Sequence, residues 1–170
     1  WPHTVPNDEI DVAAPSAAPV LGAMEAVGLL SQVFPELDDM KGVEQNGYHH
    51  LDVYGHSLAA VACLEEVLAA PAAYFGEMAM EVVRYASQAP KAVLLKLAAL
   101  FHDAGKPQVQ GRRSDPERYT FYFHEKVGLE IFSRVASRLR CSQAEIKTVN
   151  ALIQMHMRPF LLLPAFRERE

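Results

Sequence analysis

A histidine and an aspartate stand side by side at positions 102 and 103, inside the run LLKLAALFHDAGKP from Leu94 to Pro107. Neighbouring side chains on a helix diverge by about 100°, so the two cannot both pack against one flat partner. Both can reach a single ion near the helix end, because imidazole is long and carboxylate short. Imidazole nitrogen with carboxylate oxygen makes a mixed N/O site, which suits Mn, Fe, Co, Ni, Zn or Mg and not a thiolate-selective metal. Two ligands do not hold a catalytic ion, so other segments must supply more. His56 is the first candidate, with His124 and His156 next. Asp52 lies four residues before His56 on the same helical face. It either orients that imidazole or is an acid at a helix start, where the macrodipole favours one.

A divalent ion in such a site acidifies water and polarises a phosphoryl oxygen. The chemistry such a site suits is metal-assisted hydrolysis of a phosphomonoester or phosphodiester. Lys106 is placed to neutralise charge on the phosphate. Arg112 and Arg113 offer bidentate forks to it, or are a solvated loop. His124 is the candidate for proton transfer if it is not a ligand. The charge distribution agrees with an anionic ligand. Net charge is −5, and up to residue 60 the only Lys or Arg is Lys41. From Lys106 to Arg140 the balance reverses, with Arg112, Arg113, Arg118, Lys126, Arg134 and Arg138 between them. A local basic segment in an acidic chain fits a phosphate-bearing ligand better than general coating of nucleic acid.

The elements that must position these groups are helical. In 170 residues, half hydrophobic and 22% charged, the simplest expectation is one domain with a proper core. Residues 1–20 read as a linker or extended arm, neither signal nor transit peptide. From Leu21 the spacing of Met24, Val27, Gly28 and Leu30 is helical, and FPEL closes the segment. A long helix is predicted from Leu51 to Leu68, with Val53, Leu58, Val61, Leu64 and Leu68 as its apolar stripe. A shorter helix follows over Gly76–Gln88. The next runs from Pro90 to Ala104, stopped by a left-handed Gly105 and by Pro107. QVQGRRSDPERYTFYF is loop-like with a short extended piece, and its aromatics are expected to pack in the core rather than stack on bases. Helices at Glu125–Leu139 and Gln143–Met157 complete the set, the second opened by a Ser142/Glu145 capping box. The prediction is an all-α bundle of five to six helices. No apolar run approaches the roughly 20 residues of a membrane helix. Cys63 and Cys141 are isolated and read as buried thiols of a cytoplasmic protein. The apolar run at PFLLLPAF has no evident partner, so residues 161–170 read as the tail of a piece of something larger.

His56 followed by FHDAGKP in a helical chain resembles the HD superfamily of metal-dependent phosphohydrolases. GLLSQVFPELDDMKGVEQNGYHHLDVYGHSLAAV is similar to the segment entering the HD domain of the tRNA nucleotidyltransferase and poly(A) polymerase family. YFHEKVGLEIF and LIQMHMRP resemble its continuation, so the likeness covers about Leu21 to Phe160, with residues 21–160 as the HD domain. The resemblance implies His56, His102 and Asp103 as ligands of a divalent metal. It places His49, His50, His124 and His156 around the site as further ligands or phosphate contacts. It also implies a nucleotide or an RNA end, such as a 2′,3′-cyclic phosphate, as substrate, an RNA 3′ end or tRNA as partner, and a nucleotidyltransferase domain elsewhere in the full-length protein. This sequence has no GGxVRD-like stretch and no DxD pair. After Asp115 it has no aspartate, whereas the superfamily usually adds one from a late helix; His124, His156, Glu130 or Glu145 are the available substitutes. Two rival readings follow. One is a non-catalytic body that holds RNA for a head domain. The other is an iron oxygenase whose two-iron centre draws on His56, His102, Asp103, His124 and His156.

Overall fold

The computed structural model describes residues 16–45, 50–114 and 117–159, with the backbone alone at Glu117. These form an all-α bundle with one small hairpin. Six helices are eight residues or longer: α1 (Ala18–Ala26), α3 (Val53–Ala69), α5 (Ala79–Ala86), α6 (Lys91–Phe101), α8 (His124–Arg138) and α9 (Gln143–Met155). Between them lie α2 (Leu29–Val33), α4 (Pro71–Phe75), α7 (Lys106–Val109) and 3-10 turns at Pro35–Met40 and Gly76–Met78. Strands β1 (Gly111–Ser114) and β2 (Glu117–Thr120) pair antiparallel, with Arg112 opposite Tyr119 and Arg113 opposite Arg118. Among the described residues no single helix is long and apolar enough to cross a membrane.

Helix α6 is the axle. Ala92, Leu94, Ala98, Leu100 and Phe101 are all buried, and the helix packs against α3 on one side and α9 on the other. Burial around most of its circumference explains its near-continuous apolar sequence. Phe101 is fully buried, edge-on to Phe34 at 5.5 Å and tilted against Phe132 at 5.8 Å between ring centroids. On α3 the inward face is Val53, Tyr54, Ser57 and Val61, not the expected stripe through Leu64 and Leu68. Once α3 meets α6, spacing of four selects this face, and the later leucines pass to its flank.

Several expectations are corrected by local chemistry. Helix starts at Ala18, within the stretch read as an arm. The reason is Glu65, whose carboxylate accepts from Ser16 Oγ and from the Ala17 and Ala18 amides while pairing with the nearly buried Lys96 at 2.7 Å. Burial would raise this carboxyl, but Lys96, Ser16 and the two amides hold it down at about 2. The helical spacing through Leu30 is not one helix, because Gly28 takes a left-handed φ of 71° between α1 and α2. The helix expected over Gly76–Gln88 is split, its first part being a 3-10 turn.

Gly105 is not left-handed; its φ is −80°. It is glycine because a Cβ there would lie 2.1 Å from the His124 carbonyl oxygen and 2.7 Å from the Gly128 amide nitrogen. Pro107, rather than ending structure, sits in the first turn of α7. Cys63 is exposed and Cys141 half-buried, so neither is the buried thiol expected. Tyr122 and Phe123, expected in the core, are 65% and 64% exposed.

Candidate metal centre

Four helix ends deliver the polar core. Asp52 caps α3, its carboxylate accepting from the Gly55 and Gly42 amides at 2.7 Å each. That sets the first turn of α3, which carries His56, and leaves the carboxylate to capping rather than to orienting the imidazole. His102 is the C-cap of α6, and Asp103 follows it in the turn. His124 opens α8 and His156 is the C-cap of α9. The Ser142/Glu145 capping box opening α9 is present as predicted.

The histidines converge on Asp103, which is 2% exposed. Its Oδ2 lies 3.1 Å from His102 Nε2 and 3.7 Å from His56 Nε2. Its Oδ1 lies 3.3 Å from His124 Nε2 and 3.7 Å from His156 Nε2. The ligand atoms fall into two sets sharing the carboxylate: His56, His102 and Asp103, then Asp103, His124 and His156. Within each set all atoms lie within 4.8 Å of one another. Imidazole rings meet edge to face around the carboxylate, His56 against His102 at 5.2 Å, His102 against His156 at 5.1 Å and His124 against His156 at 5.0 Å.

The tautomers follow from the backs of the rings. His102 Nδ1 lies 2.8 Å from the Ala99 carbonyl, His124 Nδ1 2.7 Å from that of Phe121, and His156 Nδ1 2.6 Å from that of Ile153. A carbonyl oxygen only accepts, so each Nδ1 carries the hydrogen. Each neutral ring then turns a Nε2 lone pair inward, towards the carboxylate and towards one another; His124 and His156 Nε2 are 3.1 Å apart. Lone pairs aimed at lone pairs require positive charge between them, either from imidazolium protons or from a cation. A divalent ion fits this donor set, and carbonyl-anchored imidazoles are how proteins hold one.

Electrostatics agree. Burial alone would raise the Asp103 carboxyl, but its contacts with His102 and His124 and the charge of Lys106 outweigh it. The group therefore lies well below the usual carboxylate range. Burial pushes the His156 imidazole below its ordinary value, and the Ile153 carbonyl opposes this. A neutral imidazole is the form that binds metal.

Lys106 Nζ donates to Asp103 Oδ2 at 2.7 Å and to Gln45 Oε1 at 2.6 Å, and lies over the Phe121 ring at 5.2 Å from its centroid. A cleft of about 420 Å³ opens over the cluster. Its walls include His102, Asp103, Lys106 and His156 on one side and Arg118, Tyr119 and Tyr122 on the other. Arg112 and Arg113 stand exposed on β1 and do not line it. His50 is exposed, and His49 lies outside the described residues. Of the substitutes for a late aspartate, His124 and His156 join the cluster. Glu145 is committed to capping α9, and Glu130 is exposed on α8. Gln45 and Arg118 were not singled out in the sequence. Gln45 sits within the stretch that carries the family likeness, and Arg118 differs from Arg112 and Arg113 only by the hairpin register.

The description "HD domain" matches residues 53–166. The chain is 34% identical over 145 residues to an A-adding tRNA nucleotidyltransferase of Deinococcus radiodurans, and 36% identical over 146 residues to a CC-adding tRNA nucleotidyltransferase of Thermus thermophilus. Each alignment covers 85% of this chain and 29% of the relative, so the chain spans less than a third of the length of these relatives. It is 31% identical over 142 residues to a bifunctional uridylyltransferase/uridylyl-removing enzyme of Ruegeria pomeroyi, covering 81% of this chain and 14% of the relative. With the matched span holding every residue of the cluster, the chain belongs to the HD domain family.

Proposed function

We propose that the chain is a metal-dependent phosphohydrolase acting on a phosphomonoester or phosphodiester of a nucleotide or an RNA end, such as a 2′,3′-cyclic phosphate. The observation that carries this reading is the inward set of Nε2 lone pairs around both oxygens of one buried carboxylate, beneath a cleft with Lys106 and Arg118 in its walls. His56, His102 and Asp103 are the first set to hold an ion, and Asp103, His124 and His156 the second. When bound, such an ion supplies Lewis acidity towards a phosphoryl oxygen and a water of lowered pKa. The chain's own residues do the rest. His124, with Nδ1 on the Phe121 carbonyl and Nε2 facing Asp103, serves as a ligand rather than as the proton-transfer group. Lys106 offers an ammonium at the rim of the carboxylate, where it neutralises charge gathering on a phosphate. Met157 and the hairpin wall the cleft and limit the water that reaches the reacting bond. The relatives support a nucleotidyl ester as substrate, since removing a uridylyl group breaks such a bond.

The test is metal content of the purified protein together with hydrolysis of a nucleoside 2′,3′-cyclic phosphate, with and without added Mn or Ni. Bound transition metal and metal-stimulated turnover are expected, both lost in Asp103→Ala with the helical circular dichroism retained. Full metal stoichiometry in Asp103→Ala, or a metal-loaded wild type without turnover, overturns it.

The similarity to tRNA nucleotidyltransferases favours a second reading, a body that holds tRNA for a nucleotidyltransferase domain of a longer protein. Binding of tRNA by a chain that hydrolyses no phosphoester selects it.

A further inference from the structure

The hairpin and the turn that follows it present two features that neither the helical core nor the metal cluster uses. First, Tyr122 is 65% exposed yet lines the cleft over the cluster. A large aromatic in the wall of a polar site, rather than in the adjoining core, leaves its ring face available to a planar partner. The backbone beside it is held in a costly form: Phe123, a bulky residue, has a left-handed φ of 64° immediately before α8. Such strain collects where a functional geometry requires it. Second, Arg113 and Arg118 stand directly opposite each other on β1 and β2, and among the described residues no acid pairs with either. Like charges at opposed positions destabilise a hairpin, and an anion between or beside them relieves the repulsion. Arg118 lines the cleft, whereas Arg113 does not, so an anion paired with Arg118 would lie over the same cleft as the metal cluster.

The hairpin is also held in place over the site. Tyr119 donates its hydroxyl to Glu44 at 2.8 Å, and Gln110 donates to the Glu44 carbonyl at 3.3 Å. The neighbouring Gln45 accepts from Lys106. One short segment thus bridges the phosphate-facing lysine and the aromatic wall. The cleft's 420 Å³ or so lies in the range of small-molecule sites, roughly 300–1,000 Å³, and exceeds what phosphate alone requires.

We propose that Tyr122 is a stacking platform for a nucleobase, so that the site selects nucleoside phosphates over other phosphoesters, with Arg118 binding their phosphate. This rests on the phosphohydrolase reading for the nucleotide and the place of its phosphate, and it adds the residue that recognises the base. The shared chemistry is a base joined through ribose to phosphate, whether a free nucleotide or an RNA end.

Equilibrium binding by calorimetry tests it on the protein as purified, using adenosine 3′-monophosphate and ribose 3-phosphate, which lacks the base. Wild type binds the nucleotide about 10-fold or more tightly, as stacking of one base supplies. Tyr122→Ala and Tyr122→Leu lose that margin and leave ribose 3-phosphate unchanged, whereas Tyr122→Trp keeps it. Arg118→Ala weakens both ligands. A short RNA ending in a 3′-phosphate that binds more tightly than the mononucleotide, with the same dependence on Tyr122, assigns the site to RNA ends. Equal affinities assign it to free nucleotides. Wild type without preference for the base, or a preference that survives Tyr122→Leu, overturns the proposal. Because binding is read without turnover, a protein that binds through Tyr122 but hydrolyses nothing overturns the phosphohydrolase reading alone. One that hydrolyses both esters equally overturns this one alone.

Discussion

At the scale of single residues, Lys106 and a metal ion want the same oxygen. The ammonium lies 2.7 Å from Asp103 Oδ2, which also faces His56 and His102. Lys106→Ala therefore removes a competing cation and a source of repulsion, so metal affinity rises. On the proposed phosphohydrolase reading, hydrolysis falls by about 100-fold, the usual cost of one lost charge stabiliser at a transition state. A metal titration beside a rate measurement checks both signs; weaker metal binding in Lys106→Ala shows that the lysine supports the site rather than competes for it. The His102-Asp103 pair was legible in sequence because its spacing to Lys106 is local. Arg118 was not, since which arginine of the hairpin reaches the cleft depends on a cross-strand register that no short-range pattern records. The exposure of Tyr122 was illegible for the same reason: an aromatic run looks alike whether it faces a core or a cleft.

Elements meet most tightly at Gly105, where the turn after α6 runs against the start of α8. The contacts that a Cβ would make are with backbone atoms of His124 and Gly128, which cannot rotate away. Gly105→Ala forces α8 off the α6 turn, moving His124 relative to Asp103. Destabilisation of about 1–3 kcal/mol is expected, as for an overpacked core, with a larger proportional loss of metal than of helix. Thermal unfolding with metal analysis checks this; metal affinity equal to wild type shows that the junction has slack. A glycine in HDAGK was visible from the sequence, but its reason was not. Stop signals at a helix end suggest left-handed backbone, while the actual cause is the approach of an element some twenty residues away. The same limit explains the arm: Glu65 lies 48 residues from the Ala17 amide it accepts from, so no local pattern announces that helix α1 starts at Ala18.

For the whole molecule, the apolar core and the metal cluster are adjacent but distinct. Phe101, Phe132, Val135, Val149 and Ile153 are fully buried and need no ion to pack. Chelation is therefore expected to lower the melting temperature, since a ligand bound only by the folded state adds to its stability. Helical circular dichroism at 25 °C stays at the holo level. Collapse of the helical signal on chelation shows that the four helix ends need the ion to come together. The all-α class and the positions of the long helices were legible because one-sided burial of α8 and α9 imposes helical periodicity, while the apolar run of α6 is too long for a strand. The topology that makes four separated histidines neighbours was legible only through family likeness, since spacings of tens of residues carry no geometry of their own.

The carbonyl tethers behind His102, His124 and His156 have one more consequence. His102 and His156 are held by the last turns of α6 and α9 and His124 by the turn just before α8, each through the carbonyl three residues back, so the Nε2 atoms are not free to drift outward to suit whatever ion arrives. The opening between them works as a gauge. On the proposed metal-site reading, it suits transition ions with nitrogen bonds near 2.0–2.1 Å better than calcium, which asks for about six to eight oxygens at roughly 2.3–2.6 Å. Size and donor type, set by backbone and not by side-chain flexibility, decide the tenant.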